Sequence, residues 1–271
     1  MTERMTTTRA EQPAPDYVPG HDLLAGKVVV VTAGAGAGIG AAVVRRVLEE
    51  GARHVVVSDT HGRRLAEAQE SLADEFGADR VTTRVCDVTD NQAVLELLGA
   101  AEGVGGVDVM VNNAGLGGTV GITEMSDEEW SRVIDITLTG TMRCVRAAGL
   151  SMIANRKRGV IVNNASVIGW RAQEGQAHYA AAKAGVMALT RCAALDLASH
   201  GIRVNAVSPS LAMHPFLAKV TSDELLAELK QREAFGRAAE PWEVANVMVF
   251  LASDYSSYMT GEIVSVSNQH A

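Results

Sequence analysis

Aromatic residues, proline and cysteine are all scarce in this chain, and basic charge is in deficit. Three cysteines, Cys86, Cys144 and Cys192, are an odd number without CxxC or Cys/His ligand spacing. That pattern excludes a disulfide framework and a zinc site, and the thiols read as small core residues in a reducing compartment. With 24 Lys and Arg against 32 Asp and Glu, the formal charge of −8 repels nucleic acid and anionic lipid. Neither is expected as a partner. No uncharged apolar run reaches the roughly 18 residues of a membrane span, and the first two dozen residues lack the apolar core of a signal peptide. A cytoplasmic location is expected. His214 and His270 have no ligand-spaced partners, so no metal is expected.

What is present is a rhythm of short apolar runs and longer segments of helical period, in 271 residues of which 47% are hydrophobic. The runs 28–32, 54–58, 81–86, 108–111, 159–164, 202–206 and 262–266 read as seven strands. Helices are expected to begin near Ile39, Gly62, Asn91, Asp127, Ala177 and Trp242. Strands alternating with helices imply βαβ units and a parallel sheet buried on both faces. The expected fold class is α/β, one domain over residues 24–271 behind a flexible tail, 1–23. Residues 208–240 break the rhythm with a short amphipathic piece, 223–232, and are expected to form a loop over the substrate.

The first run leads through Gly34-Ala35-Gly36-Ala37-Gly38-Ile39-Gly40 into a helix. Glycines there let the backbone approach a pyrophosphate, and the helix start offers free N–H groups to it. Asp59 closes the second strand about 25 residues after Gly34, where a carboxylate accepts from an adenosine ribose and repels a 2′-phosphate. NAD is therefore favoured over NADP, with Arg63 and Arg64 as residues that soften the exclusion. Asp87 after the third strand suits an adenine amino group, or simply a helix start.

Tyr179 and Lys183 stand one helical turn apart, so both emerge on one helix face. A phenol of pKa about 10 is a poor base at neutral pH, and an ammonium nearby is expected to lower it. Two unit charges about 4 Å apart at an effective dielectric of about 20 attract by roughly 4 kcal/mol, up to about three pKa units before desolvation is subtracted. Ser166, at the end of the fifth strand, can point its hydroxyl into the same cleft and bond a reacting oxygen. The expected chemistry is proton transfer by Tyr179 while a nicotinamide cofactor exchanges hydride with a carbonyl carbon.

Together these motifs resemble the short-chain dehydrogenase/reductase family over residues 24–268. The resemblance implies a single Rossmann-type, doubly wound domain and an NAD(P)-dependent enzyme acting on CH–OH groups, commonly a homotetramer. By it, Gly34, Gly38, Ile39 and Gly40 hold the cofactor turn, Asp59 the ribose, and Asp87 with Val88 the adenine. Asn112-Asn113-Ala114-Gly115 match the segment supporting the sheet beside the cofactor, and Pro209 the proline before the cofactor-covering loop. Ser166, Tyr179 and Lys183 match the catalytic trio, with Lys183 also on the nicotinamide ribose.

Departures are specific. Ala33 takes the usual threonine position, with Thr32 one residue earlier. Thr137 replaces the asparagine that holds a water in the proton relay, Ser210 a glycine, His214 a threonine, and Asn268 with Gln269 a glycine pair. Several of these recur in a narrower group resembled through residues 164–173, 208–210, 234–242 and 267–270, dehydrogenases of bacterial steroid catabolism. That likeness implies a hydrophobic, CoA-linked substrate: the ring hydroxyl of a hydroxy-methylindanone propanoyl-CoA. Trp170, Met213, Phe216 and Leu217 would then wall a fused ring, and Arg171, Lys219 or Arg237 would meet CoA phosphates. The alternatives are an NADPH-dependent reductase of 3-oxoacyl thioesters, and a dinucleotide-binding regulator without turnover.

Overall fold

The computed structural model describes residues 12–213 and 223–268. Their seven strands form one parallel sheet in the order β3-β2-β1-β4-β5-β6-β7. The strands are β1 Val28–Val31, β2 His54–Asp59, β3 Val81–Val85, β4 Val109–Asn112, β5 Val160–Asn164, β6 Arg203–Pro209 and β7 Ile263–Val266. The expected strands are all present, most with ends moved by a residue and β6 prolonged to Pro209. β1 is four consecutive valines, all buried, because helices cover both faces of the sheet.

Alternate valines of β1 serve opposite layers, as the two-residue period of a strand demands. Val29 and Val31 pack in one core with Val43, Val44 and Val47 of α1 (Ile39–Glu49), Leu65 of α2 (Gly62–Phe76) and Met248 of α8 (Pro241–Ala252). Val28 and Val30 belong to the other, with Leu97 of α3 (Asn91–Glu102), Cys144 and Ala148 of α5 (Gly140–Ala154), and Ala194 of α6 (Ala177–Ala198). This two-layer sandwich of a sheet is the doubly wound Rossmann-type architecture. The piece Asp223–Arg232 is helical, α7.

Between α4 (Asp127–Ile134) and α5 lies a π-helical turn, Asp135–Thr139, that the sequence pattern did not separate. α4 starts on a reciprocal cap between Ser126 and Glu129, and α8 on Glu240 and Glu243 with Pro241 in its first turn. Residues 12–23 form no helix or strand. The buried Glu50 accepts from His21 N at 2.7 Å and Leu23 N at 3.0 Å, and pairs with Arg46 at 2.6 Å. The Tyr17 ring meets Trp242 edge-on at 5.4 Å.

Candidate active site

Strand order reverses between β1 and β4, so the loops leaving their C-terminal ends diverge and open a crevice, the place where doubly wound sheets bind ligands. The glycine turn leaves β1 there. Thr32 does the work expected of a residue one place later: its hydroxyl accepts from Asn113 N and Ala114 N, both at 3.0 Å. Ala33 turns the chain at φ +50°, and its carbonyl accepts from Asn113 Nδ2 at 3.2 Å. Gly40 packs against this corner so closely that a Cβ would lie 2.2 Å from Ala33 O. Only glycine fits. Gly38 is the opposite case, with nothing within 4 Å of a Cβ position and no side-chain cap on the helix it starts. The fold leaves free N–H groups facing open space at the positive end of α1, which suits a pyrophosphate.

Asp59 is buried at the end of β2, and its Oδ1 accepts from Arg64 Nη2 at 3.0 Å and from His61 N at 3.1 Å. One carboxylate oxygen is thus engaged by Arg64 and the His61 amide. The exposed Asp87 uses Oδ1 for Thr89 N and Oγ1, at 2.9 and 2.8 Å. Val88 beside it is buried against Gly140, where a Cβ would come within 2.6 Å of its Cγ2.

Across the crevice, Ser166, Tyr179 and Lys183 come together as their spacing predicts. Ser166 hydrogen-bonds the Tyr179 phenol and accepts from Ile168 N at 3.3 Å. Lys183 Nζ lies 5.5 Å from the centre of the Tyr179 ring and donates to Asn164 O at 2.5 Å. The electrostatic expectation fails, however. Burial pushes the Tyr179 phenol up despite the Ser166 hydrogen bond, and pushes Lys183 down to about 8. Desolvation disfavours the charged form of both groups, so it outweighs the attraction computed for an exposed pair. Tyr179 is a phenol at neutral pH, and Lys183 titrates near it.

Thr137 is buried in the π-helical turn, where its hydroxyl donates to Leu116 O at 3.1 Å and accepts from Leu116 N at 3.0 Å. Its proton is therefore committed to the loop after β4. Sequence reasoning missed a chain of amides behind the site. Asn112 Nδ2 donates to Asn163 Oδ1 at 2.8 Å, and Asn163 Nδ2 to Thr190 Oγ1 at 2.9 Å. Since Thr190 is two turns beyond Lys183 on α6, this chain ties the helix to β4 and β5. Asparagines facing each other on neighbouring strands were the available signal. Asn113 Oδ1 accepts from Asn164 Nδ2 at 3.0 Å, and Pro209 closes β6 at the same sheet edge.

Among the other expected residues, Arg237 departs from its expected role. Arg237 is held by Glu243 at 2.6 and 2.8 Å, so its guanidinium is already engaged by a carboxylate rather than presented to a phosphate. Trp170 is half exposed. Met213 N donates to Ala239 O at 3.0 Å. His214, Phe216, Leu217, Lys219, Gln269 and His270 lie outside the described residues. No group of three or more His, Cys, Asp or Glu among the described residues is placed to hold a metal, and no helix among them is long and apolar enough to cross a membrane.

A family model described as enoyl-(acyl carrier protein) reductase matches residues 34–268. The chain is 58% identical over 258 residues to the (5R,7aS)-5-hydroxy-7a-methyl-1-oxo-2,3,5,6,7,7a-hexahydro-1H-indene-carboxyl-CoA reductase of Mycobacterium tuberculosis, covering 95% of this chain and 98% of that one. It belongs to the short-chain dehydrogenase/reductase family. A solved short chain dehydrogenase from Mycobacterium smegmatis superposes with a TM-score of 0.84 at 56% identity, covering 96% of this chain and 99% of that one. The 3-oxoacyl-[acyl-carrier protein] reductase of Brucella melitensis, solved with bound NAD, has a TM-score of 0.86 at 31% identity and covers 95% and 97%. This short-chain dehydrogenase/reductase is thus an oxidoreductase of hydroxyl and keto groups in a family that binds NAD(P). The open start of α1 and the carboxylate closing β2 fit such a dinucleotide.

Proposed function

We propose that this enzyme is an NAD-dependent dehydrogenase of a secondary ring alcohol on a steroid-derived CoA thioester of the hydroxy-methylindanone propanoyl type. The observation that carries the reading is the convergence of Ser166, Tyr179 and Lys183 on the crevice beside the open glycine turn. The likeness to the indene-carboxyl-CoA reductase supports the substrate class. Gly34, Gly38, Ile39 and Gly40 would hold the pyrophosphate, Asp59 the ribose, Asp87 and Val88 the adenine. Asn113, Ala114, Gly115 and Pro209 would frame the nicotinamide end, with Lys183 on its ribose. When bound, the nicotinamide supplies or accepts the hydride at the carbonyl carbon.

Ser166 donates to the substrate oxygen and orients it. Tyr179, held as a phenol by burial, donates its proton to a ketone oxygen; in the other direction it takes the alcohol proton as it passes its own on. The amine form of Lys183 is the acceptor of that proton and its ammonium the donor that restores it, since a pKa of about 8 leaves both forms present near neutral pH. Thr137 fixes the loop at Leu116. Residues 24–271 are the catalytic domain, and residues 12–23 are not the flexible tail expected of them, since His21 and Leu23 bond Glu50 and Tyr17 packs on Trp242. The protein works in the cytoplasm as a homotetramer, for which the exposed Leu150 of α5 and Leu195 of α6 supply apolar contact.

Reduced-nicotinamide absorbance with NAD or NADP and a panel of free and CoA-linked ring alcohols tests the reading. Turnover with NAD is expected, and Tyr179→Phe should reduce it by at least about 1,000-fold while NAD still binds. Preference for NADP would remove Asp59 from its role, and residual turnover in Tyr179→Phe would remove Tyr179 from its own.

A further inference from the structure

Several glycines of this chain are demanded by the backbone around them. Gly40 and Gly140 have neighbours 2.2 and 2.6 Å from a Cβ position, and Gly175 holds φ at +71° with Thr119 Cγ2 only 2.7 Å away. Gly117 is different. It is exposed, and its φ lies outside the left-handed region. A Cβ there would lie over the ring face of Tyr179, at 3.6 Å from Cδ2, 3.7 Å from Cε2 and 4.0 Å from Cγ, an ordinary van der Waals separation. Neither strain nor crowding calls for glycine. What the missing side chain leaves clear is the face of the phenol over Cδ2 and Cε2, the second of which is bonded to the carbon that carries the hydroxyl.

This gap has fixed walls. On one side of Gly117, Leu116 exchanges two hydrogen bonds with the buried Thr137, at 3.0 and 3.1 Å. On the other, Val120 N donates to Gly175 O and Gln176 Nε2 to Thr119 Oγ1, both at 3.0 Å. The loop is therefore pinned to the π-helical turn and to the start of α6, and the space cannot close by a small shift of the loop.

We propose that Gly117 is a specificity-determining position: it keeps this face of Tyr179 open so that a bulky fused ring can lie against it with its oxygen at the phenol. The proposal rests on the assignment of Tyr179 as the proton-transfer group. A small open-chain alcohol reaches the same hydroxyl without that space, so a side chain at 117 acts as a steric filter against the ring alone. One methylene in a substrate pocket changes discrimination by about 10- to 200-fold, which sets the scale.

The test uses Gly117→Ala and Gly117→Leu in the full chain, assayed with NAD on a hydroxy-hydrindane, free and as its CoA thioester, and on 2-butanol. KM for the bicyclic alcohol should rise about 10-fold or more in Gly117→Leu and less in Gly117→Ala. kcat/KM for 2-butanol should stay within about two-fold, and NAD affinity should not move. The alanine variant makes only an ordinary contact, so it keeps the series interpretable if leucine disturbs the loop. Equal losses on both alcohols, or an unchanged bicyclic KM in both variants, would overturn the proposal. Wild type that turns over none of the alcohols would instead strike the assignment of Tyr179.

Discussion

Lys183 should make the folded protein less stable at neutral pH than it would be with a neutral side chain in its place. Its ammonium is buried, only 3% exposed, and burial lowers its pKa from 10.5 to about 8. A base whose folded pKa is depressed binds fewer protons when folded than when unfolded, so stability is lost below the folded value and recovered as pH rises from about 8 towards 10.5. At about 1.4 kcal/mol per unit, the penalty is about 3 kcal/mol at pH 7, about 2 at pH 9 and about 1 at pH 10. Lys183→Met keeps the length of the side chain and removes the charge. Other consequences of the substitution, such as the lost bond to Asn164 O, are present across the whole range once Lys183 is gone. The readout is therefore how the difference between the two proteins changes with pH. Urea denaturation of both without nucleotide, at one protomer concentration and at pH 7, 8, 9 and 10, measures it. Stability of wild type relative to Lys183→Met should rise by about 2 kcal/mol from pH 7 to pH 10. A difference that stays flat, or moves in favour of the variant, would refute the assignment of a depressed pKa.

Gly40→Ala should destabilise the chain by about 1–3 kcal/mol and weaken NAD binding, because the new methyl meets the Ala33 carbonyl and the Asn113 amide, neither of which can yield without opening the turn. Calorimetry with and without NAD checks this, and an unchanged Tm and affinity would contradict it. Iodoacetamide at pH 8 on native protein should label Cys192 alone of the three cysteines. Cys192 is exposed, whereas burial pushes the thiol of Cys86 up to about 11 and that of Cys144 to about 12. Peptide mass spectrometry reads the sites, and labelling of Cys86 at a rate matching Cys192 would refute the burial argument.

The sheet and the Tyr179–Lys183 pair were legible in the sequence because both follow from local periods: valine runs bounded by turns, and a one-turn spacing on a helix of strong formers. The π-helical turn at Asp135–Thr139 was not, since an extra residue in a helix leaves no mark in composition. Thr32 and Ala33 show a different limit. The threonine of the family pattern stands one residue earlier here, and only the structure shows that it clamps Asn113 and Ala114 from that place, while an alanine accepts the left-handed corner.

The ionisation of the site was the least legible part, and the reason bears on the chemistry. Spacing predicts that an ammonium lowers a nearby phenol's pKa, but burial acts on both partners and reverses the result for Tyr179. Spacing is local, whereas desolvation depends on the loop after β4, the amide chain behind α6 and the strand that supplies Ser166. The resulting pair, a phenol that keeps its proton and a lysine near its titration point, is arranged to deliver one proton to a ketone oxygen and to replace it through Lys183. The loop after β4 also sets Gly117 against the ring face of Tyr179. Proton transfer and ring selection are therefore separable: the burial of Tyr179 and Lys183 sets the first and the missing side chain at 117 the second, so a substitution at 117 should change ring selection while transfer to a small alcohol stands.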